Sequence, residues 1–288
     1  MKTKVGIIGG SGLEDPQILE NARQIEMETP FGKPSDVLIE GEIGGVPCVL
    51  ISRHGRNHDI MPTNVNYRAN LWALMELNVT VIIASTACGS LKEEVAPGHL
   101  VFPNSIFDRT HRRIQTFFDG EEGHPKGVIH LPSDPVYDEK LRQLLIGCAR
   151  DLGYTYHDRG FGVCIEGPRY STKAESLVFK SWDATLVSMT LVPEGLLAKE
   201  LGIPYANVTL VTDYDCWKDG DHVTMESVME TFAENSHKAL ALFMRAVVQI
   251  GEIDWSDQVR AAKKLARDAV MVGKDVKIEH LDPGKYFS

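Results

Sequence analysis

The chain has only five cysteines in 288 residues. Cys48, Cys88, Cys148, Cys164 and Cys216 are odd in number and widely spaced, which argues against a disulfide framework and predicts free thiols in a reducing compartment. No CxxC or Cys/His spacing suggests a metal site, so no metal is expected. No apolar run approaches the roughly 18 residues that a membrane-spanning helix needs. Residues Met1 to Gly10 carry no apolar segment with a cleavage site, and a cytoplasmic address is the expectation. Internal repeats, low-complexity tracts and Pro/Ser-rich linkers are also lacking, so residues 1–288 read as one domain. Basic residues are the minority, 30 Lys+Arg against 40 Asp+Glu for a net charge of −10. The longest basic cluster, Arg109 to Arg113, is interrupted by Thr110 and His111. Nucleic-acid binding, which depends on clustered cations that displace counterions, is therefore not expected.

What remains is an ordinary globular composition, 43% hydrophobic and 24% charged, with enough chain to bury roughly 75% of its unfolded surface. Short β-branched runs alternate with amphipathic segments. Strands are predicted over Lys4–Ile8, Cys48–Ser52, Val79–Ser85, Gly98–Val101, Gly162–Ile165 and Tyr205–Leu210. Helices are predicted over Asn64–Leu77, Glu139–Leu152, Lys173–Ser181, Glu194–Leu201, Met225–Gly251 and Trp255–Val270. Nearly every residue of Val79–Ser85 is apolar, as in a sheet covered on both faces, and the class is α/β. The stretch from Phe107 to Pro135 is the least regular and longer than most connections in compact domains.

Five segments carry candidate chemistry. In Val5–Gly12 a strand runs into a glycine-rich turn whose N–H groups, with the Ser11 hydroxyl, suit an anion. A plain tight turn fits equally well, and a dinucleotide fingerprint fails because Asp15 occupies the closing glycine position. Arg53-His54-Gly55-Arg56-Asn57-His58 follows an apolar strand, where open α/β sheets bind ligands; an exposed basic loop is the alternative. Ser85–Leu91 supplies small residues and hydroxyls at another strand end, as a packed turn would. Ile165–Ser176 presents Glu166, Arg169 and Tyr170 between a strand broken at Gly167-Pro168 and a helix whose Thr172 and Glu175 have capping-box spacing, although Glu166 and Arg169 could simply pair with each other. Last, Asp213 and Asp215 end an apolar strand, and in extended geometry both point the same way. Two adjacent carboxylates resist double ionisation, so one should keep a proton; two solvated surface acids are the plain alternative.

Together these segments resemble the trimeric purine nucleoside phosphorylases. The resemblance rests on the stretch Ile51 to Leu91 (Arg53-His54-Gly55, His58, Tyr67, Asn70, Thr86-Ala87-Cys88-Gly89-Ser90-Leu91), the glycine-rich start, Glu166–Arg169, Met189–Glu194 and Thr212–Lys218, in the same order over about residues 4 to 250. It implies one domain with a central mixed β-sheet flanked by helices on both faces, and a homotrimer in which His130 reaches a neighbour's site. It further implies phosphorolysis without a cofactor, with inorganic phosphate as co-substrate attacking the anomeric carbon of 5′-methylthioadenosine to release adenine and 5-methylthioribose 1-phosphate. Carried over by position, Ser11, Arg53, His54, Thr86, Ala87 and Thr190 would hold phosphate, and Met189 would lie against the ribose. Tyr170 would stack on the purine with Ser171 close by. Asp213 and Asp215 would bind its edge, Asp213 as the acid. Met225, Val228 and Met229, at i, i+3 and i+4 of one helix, would face the methylthio group. By spacing alone these three would be core residues. A 6-amino group needs an acceptor and a 6-oxo group a donor, so two aspartates suit adenine; a 6-oxopurine nucleoside phosphorylase is the alternative. Tyr170 stands where the family commonly has phenylalanine, and Met225 replaces a smaller apolar residue.

Overall fold

The computed structural model describes residues 2–10, 18–220 and 224–272, apart from the side chains of 225–227. Its strands are β1 (Val5–Gly9), β2 (Glu20–Ile25), β3 (Leu38–Ile43), β4 (Val46–Ser52), β5 (Val81–Ser90), β6 (Leu100–Val101), β7 (Ser105–Arg109), β8 (Val128–Ile129), β9 (Tyr156–His157), β10 (Phe161–Ile165), β11 (Leu186–Ser188), β12 (Tyr205–Asp213) and β13 (Val270–Met271). The helices are α1 (Tyr67–Glu76), α2 (Glu139–Asp151), α3 (Lys173–Ser181), α4 (Glu194–Glu200), α5 (Met225–Gly251) and α6 (Ser256–Asp268). All but β8 and β13 belong to one mixed sheet, and those two pair only with each other.

Side-chain alternation along the central strands feeds two separate cores. Val5 and Ile7 of β1, Cys48 and Leu50 of β4, and Val81 and Ile83 of β5 pack with α2 and α5. Ile8, Val49, Ile51, Ile82 and Ala84 point the other way, onto α1 and α4. A strand with period two and both faces covered must be apolar on both, and the stretches Val5–Ile8, Cys48–Ile51 and Val81–Ala84 carry no polar side chain.

Strand β5 positions the site. Its first half lies between β1, with which it pairs in parallel over Val81–Ala84, and β12. Its far end pairs antiparallel with β11 through Gly89 and Ser90. Between these two partners, residues 85–88 have no strand neighbour on that side among the described residues, and their backbone edge faces the carboxyl ends of β1 and β4. That break in the sheet is a topological switch point, where open α/β sheets place ligands.

One local signal read from sequence is fully formed. The Thr172 hydroxyl and the Glu175 carboxylate cap α3 reciprocally, and α3 spans Lys173–Ser181 as predicted. Helix α1 begins at Tyr67 rather than Asn64, because Pro62–Asn64 form a separate 3₁₀ turn and the Asn66 side chain then accepts from the Ala69 amide as the cap. At about 40 Å, α5 is long enough to run from the site, where Val228 sits, to the core at Phe243 and Ile250. Its Asn235 donates to the Val211 carbonyl at 2.9 Å, tying the helix to the end of β12.

The irregular stretch after Phe107 is anchored by Glu200 at the end of α4, whose carboxylate accepts from the Thr116 hydroxyl (3.1 Å) and the Phe117 amide (2.9 Å). Burial pushes this carboxyl up from its ordinary value near 4.5 to about 7. The folded chain therefore keeps a proton that the unfolded chain has released between those values. This contribution to stability is complete below about pH 4.5 and is lost as pH rises through about 7. We expect Glu200→Gln to remove that dependence, so that the melting temperature of the variant gains on the wild type by a few degrees between pH 5 and pH 8.

Candidate active site

Arg53 and His54 emerge directly after β4, and Arg53 is fully buried. Its guanidinium is fixed on three sides, with Nε and Nη2 each donating at 2.7 Å to the two oxygens of buried Glu194 and Nη1 donating at 2.8 Å to the Ser85 carbonyl on the unpaired edge of β5. His54 Nδ1 lies 2.8 Å from the Ile60 carbonyl. A carbonyl only accepts, so Nδ1 carries the hydrogen. Burial, helped by the Arg53 charge, pushes His54 down to about 4, which leaves a neutral ring with a lone pair at Nε2.

The other pole is acidic. Strand β12 bulges between Val211 and Asp213, so that Asp213 is opposite Gly89 while Thr212 is extra. Bulges re-aim side chains in this way. Asp215 lies beyond the strand in a left-handed turn, φ 50°, and its amide donates to Asp213 Oδ1 at 2.7 Å. The turn, not the extended alternation that the sequence suggests, brings Asp215 beside Asp213. Asp215 is only 2% exposed. Burial pushes its carboxyl up, and the Asp213 charge adds to the rise. Of the two carboxyls, Asp215 is buried and Asp213 only half-buried. Asp215 Oδ2, Ser171 Oγ and Ser176 Oγ are buried without hydrogen-bond partners among the described residues. Unpaired buried polar atoms cost about 1–3 kcal/mol each, so the cluster is suited to the polar edge of a ligand.

These two poles line a single cavity of about 430 Å³, within the range of small-molecule sites. Arg53, His54, Ala87 and Thr190 line it, as do Met189, Tyr170, Ser171, Asp213 and Asp215. Val228 and Met229 of α5 complete an apolar wall. Thr86 is buried on β5 just before Ala87, its hydroxyl accepting from Asn207. Ser11 and the side chain of Met225 lie outside the described residues, and His130 does not line this cavity, its amide donating instead to the Ala269 carbonyl. The suggested Glu166–Arg169 pair does not form. Glu166 accepts from Thr63 and from the His111 and Arg112 amides, whereas Arg169 forks onto Glu175.

Sequence reasoning missed Phe232, another lining residue. The signal was available, because Phe232 continues the helical spacing of Val228 and Met229. Two glycines are required by contact. At Gly167, with φ +70°, a Cβ would meet Met189 Sδ at 2.7 Å. At Gly89 it would lie 2.8 Å from Asp213 Oδ1 and 3.1 Å from Asp215 Cβ. We expect Gly89→Ala to displace the acid pair and cut turnover at least tenfold while leaving phosphate affinity within about twofold, measured by initial rates with each substrate varied. A 1 Å misplacement can cost as much as ~10²-fold.

The cavity thus lies at a sheet switch point with a buried cation at one pole and an acid pair at the other, and the chain belongs to the phosphorylase superfamily, whose family model matches residues 4–249. Among its relatives, the S-methyl-5′-thioadenosine phosphorylase of Caenorhabditis briggsae is 64% identical over 96% of this chain and 98% of that one. The methylthioadenosine phosphorylase of Schistosoma mansoni, solved in complex with adenine, superposes with a TM-score of 0.91 at 41% identity, covering 96% of this chain and all of that one. A mutant of the adenosine/methylthioadenosine phosphorylase from the same organism, in complex with methylthioadenosine, gives 0.90 at 41% identity over 94% and 99%.

Proposed function

We propose that this protein cleaves 5′-methylthioadenosine by phosphorolysis, giving adenine and 5-methylthioribose 1-phosphate, with adenosine as a further substrate. The observation that carries the reading is the sharing of one cavity by Arg53 and His54 with the Asp213–Asp215 pair. Phosphate attack needs an anion site beneath the sugar, and departure of the base needs an acid; here both face one volume.

In this reading phosphate is held by Ser11, Arg53, His54, Thr86, Ala87 and Thr190, with Met189 against the ribose. The lone pair of neutral His54 suits the hydrogen of monohydrogen phosphate. Cleaving an N-glycosidic bond builds positive charge on the sugar and negative charge on the base. The phosphate dianion stabilises the first. A proton kept by the acid pair relieves the second at N7 through Asp213. Asp215 and Ser171 accept and donate along the adenine edge, and Tyr170 stacks on its face. Val228, Met229 and Met225 supply the apolar surface for the methylthio group.

We also read residues 1–288 as one domain and the active form as a homotrimer in which His130 completes a neighbour's cavity. The continuous sheet supports the first. An exposed apolar patch on α3 and β7, with Val178 at 47% and Trp182 at 41% exposure beside Phe107, supports the second. Light scattering should return three times the chain mass. The free cysteines, four of five buried, fit a cytoplasmic setting. Among the described residues no helix is long and apolar enough to cross a membrane.

The decisive experiment incubates the protein with 5′-methylthioadenosine with and without phosphate. Adenine release should require phosphate, and release without it would mean a hydrolase. Preference for inosine would establish the 6-oxopurine alternative.

A further inference from the structure

Buried within reach of the phosphate pole is a carboxylate that the reaction itself does not use. Glu194 opens α4 and is 0% exposed. Both its oxygens receive the Arg53 fork, and Oε1 also accepts from the Tyr205 hydroxyl at 2.8 Å. Tyr205 starts β12, two residues before Asn207 on the same strand. Asn207 Nδ2 lies 3.3 Å from the Tyr205 hydroxyl oxygen and 2.9 Å from Thr86 Oγ1. One carboxylate is thus joined to two residues assigned to phosphate, one directly and one through two intermediaries.

Donor accounting fixes the polarity of the second arm. An ionised carboxylate only accepts, so the single Tyr205 hydroxyl hydrogen points at Glu194. The Tyr205 oxygen must then accept from Asn207, which places the amide nitrogen, not the carbonyl oxygen, on that side. The second N–H of that amide goes to Thr86 Oγ1. Thr86 receives this bond as an acceptor, and its own hydrogen is left to donate. Asn207 Oδ1 is turned away and is buried without a partner among the described residues. Ring stacking of Tyr137 on Tyr205, centroids 6.1 Å apart, holds the relay in place.

Resting on the phosphorylase reading above, we infer that Glu194 is a positioning residue for the phosphate subsite: it orients the Arg53 guanidinium directly and, through Tyr205 and Asn207, makes the Thr86 hydroxyl an obligatory donor to the bound anion. An anion site built this way presents donors without reorganising when phosphate arrives, which is where preorganised electrostatics act. The first arm also fixes which N–H groups of Arg53 remain for phosphate, since Nε, one hydrogen of Nη2 and one of Nη1 are already committed.

The test compares steady-state kinetics of wild type, Glu194→Gln, Tyr205→Phe and Thr86→Ala with phosphate and 5′-methylthioadenosine varied in turn. Glu194→Gln replaces one acceptor by a donor facing Arg53. We expect it to raise the KM for phosphate about tenfold or more, the scale of a lost hydrogen bond to a charged group, with the nucleoside KM within twofold. Should that variant fail to fold, Tyr205→Phe keeps the ring and the ion pair and breaks only the relay. We expect it to raise the phosphate KM roughly three- to tenfold. In a Thr86→Ala background Tyr205→Phe should add nothing, because the hydroxyl it orients is gone. Equal effects on both substrates, or Tyr205→Phe and Thr86→Ala effects that simply multiply, would overturn the inference while leaving phosphorolysis standing. Adenine release by the wild type that ignores phosphate would overturn both.

Discussion

Replacing Asp213 by asparagine should lower kcat/KM for 5′-methylthioadenosine by about 10²- to 10⁴-fold, the usual worth of a positioned proton donor, and shift the remaining activity towards 6-oxopurine nucleosides. Asparagine preserves size and the bond from the Asp215 amide, because an amide oxygen still accepts at that position. It removes the carboxyl through which the proton of the pair reaches N7. It also gives the 6-position a donor where a 6-amino group needs an acceptor. Initial rates on 5′-methylthioadenosine, adenosine and inosine check both consequences, and unchanged kinetics on all three would refute the assignment. Loss on the first two with a gain on inosine would separate a change of specificity from a change of fold.

The second large effect concerns stability as much as rate. Arg53→Met should abolish measurable phosphorolysis and destabilise the protein by about 3–5 kcal/mol, because it strands the buried Glu194 carboxylate without its partner. A buried ion pair replaced whole by apolar residues of similar volume is often close to neutral. The double variant Arg53→Met/Glu194→Leu should therefore regain most of the stability, less the acceptor lost by Tyr205, and regain none of the activity. Urea denaturation and the phosphate-dependent assay measure the two quantities separately. A double variant no more stable than the single one would show that the pair is not what the fold depends on here.

How much of this was readable beforehand depends on how far apart the cooperating residues lie in the chain. The central strands β1, β4, β5 and β12 were all anticipated, because burial on both faces writes a continuous apolar run into each. Strand β2 was not: it is an edge strand whose residues Glu20–Gln24 are exposed, so its pairing with β3 leaves no apolar alternation to read. Strand β11 has only three residues, too few for any period. The α3 cap was legible because Thr172 and Glu175 satisfy each other within one turn.

The candidate site divides along the same line. Arg53, His54, Ala87 and the aspartates stand next to strand ends in the sequence itself, and parallel strands deliver their carboxyl ends to one edge. The manner of their meeting was not legible. Asp213 and Asp215 come together through a bulge and a left-handed turn, and which of the two is better shielded from water depends on what α3 and β5 bring against them. Tyr205 and Asn207 look like ordinary members of an apolar strand, and Glu194 like the first residue of a helix.

By itself, then, the sequence determined the α/β alternation, the α3 cap and the set of polar residues delivered to the strand ends, since each is set by neighbours within a few positions. Only the tertiary structure decided that β5 parts from β1 before it meets β11, that Glu194 lies under Arg53 from 141 positions away, and which acid is buried. Burial and hydrogen-bond geometry come from packing between distant segments, and it is packing that turns a list of polar side chains into one with fixed charges and directions.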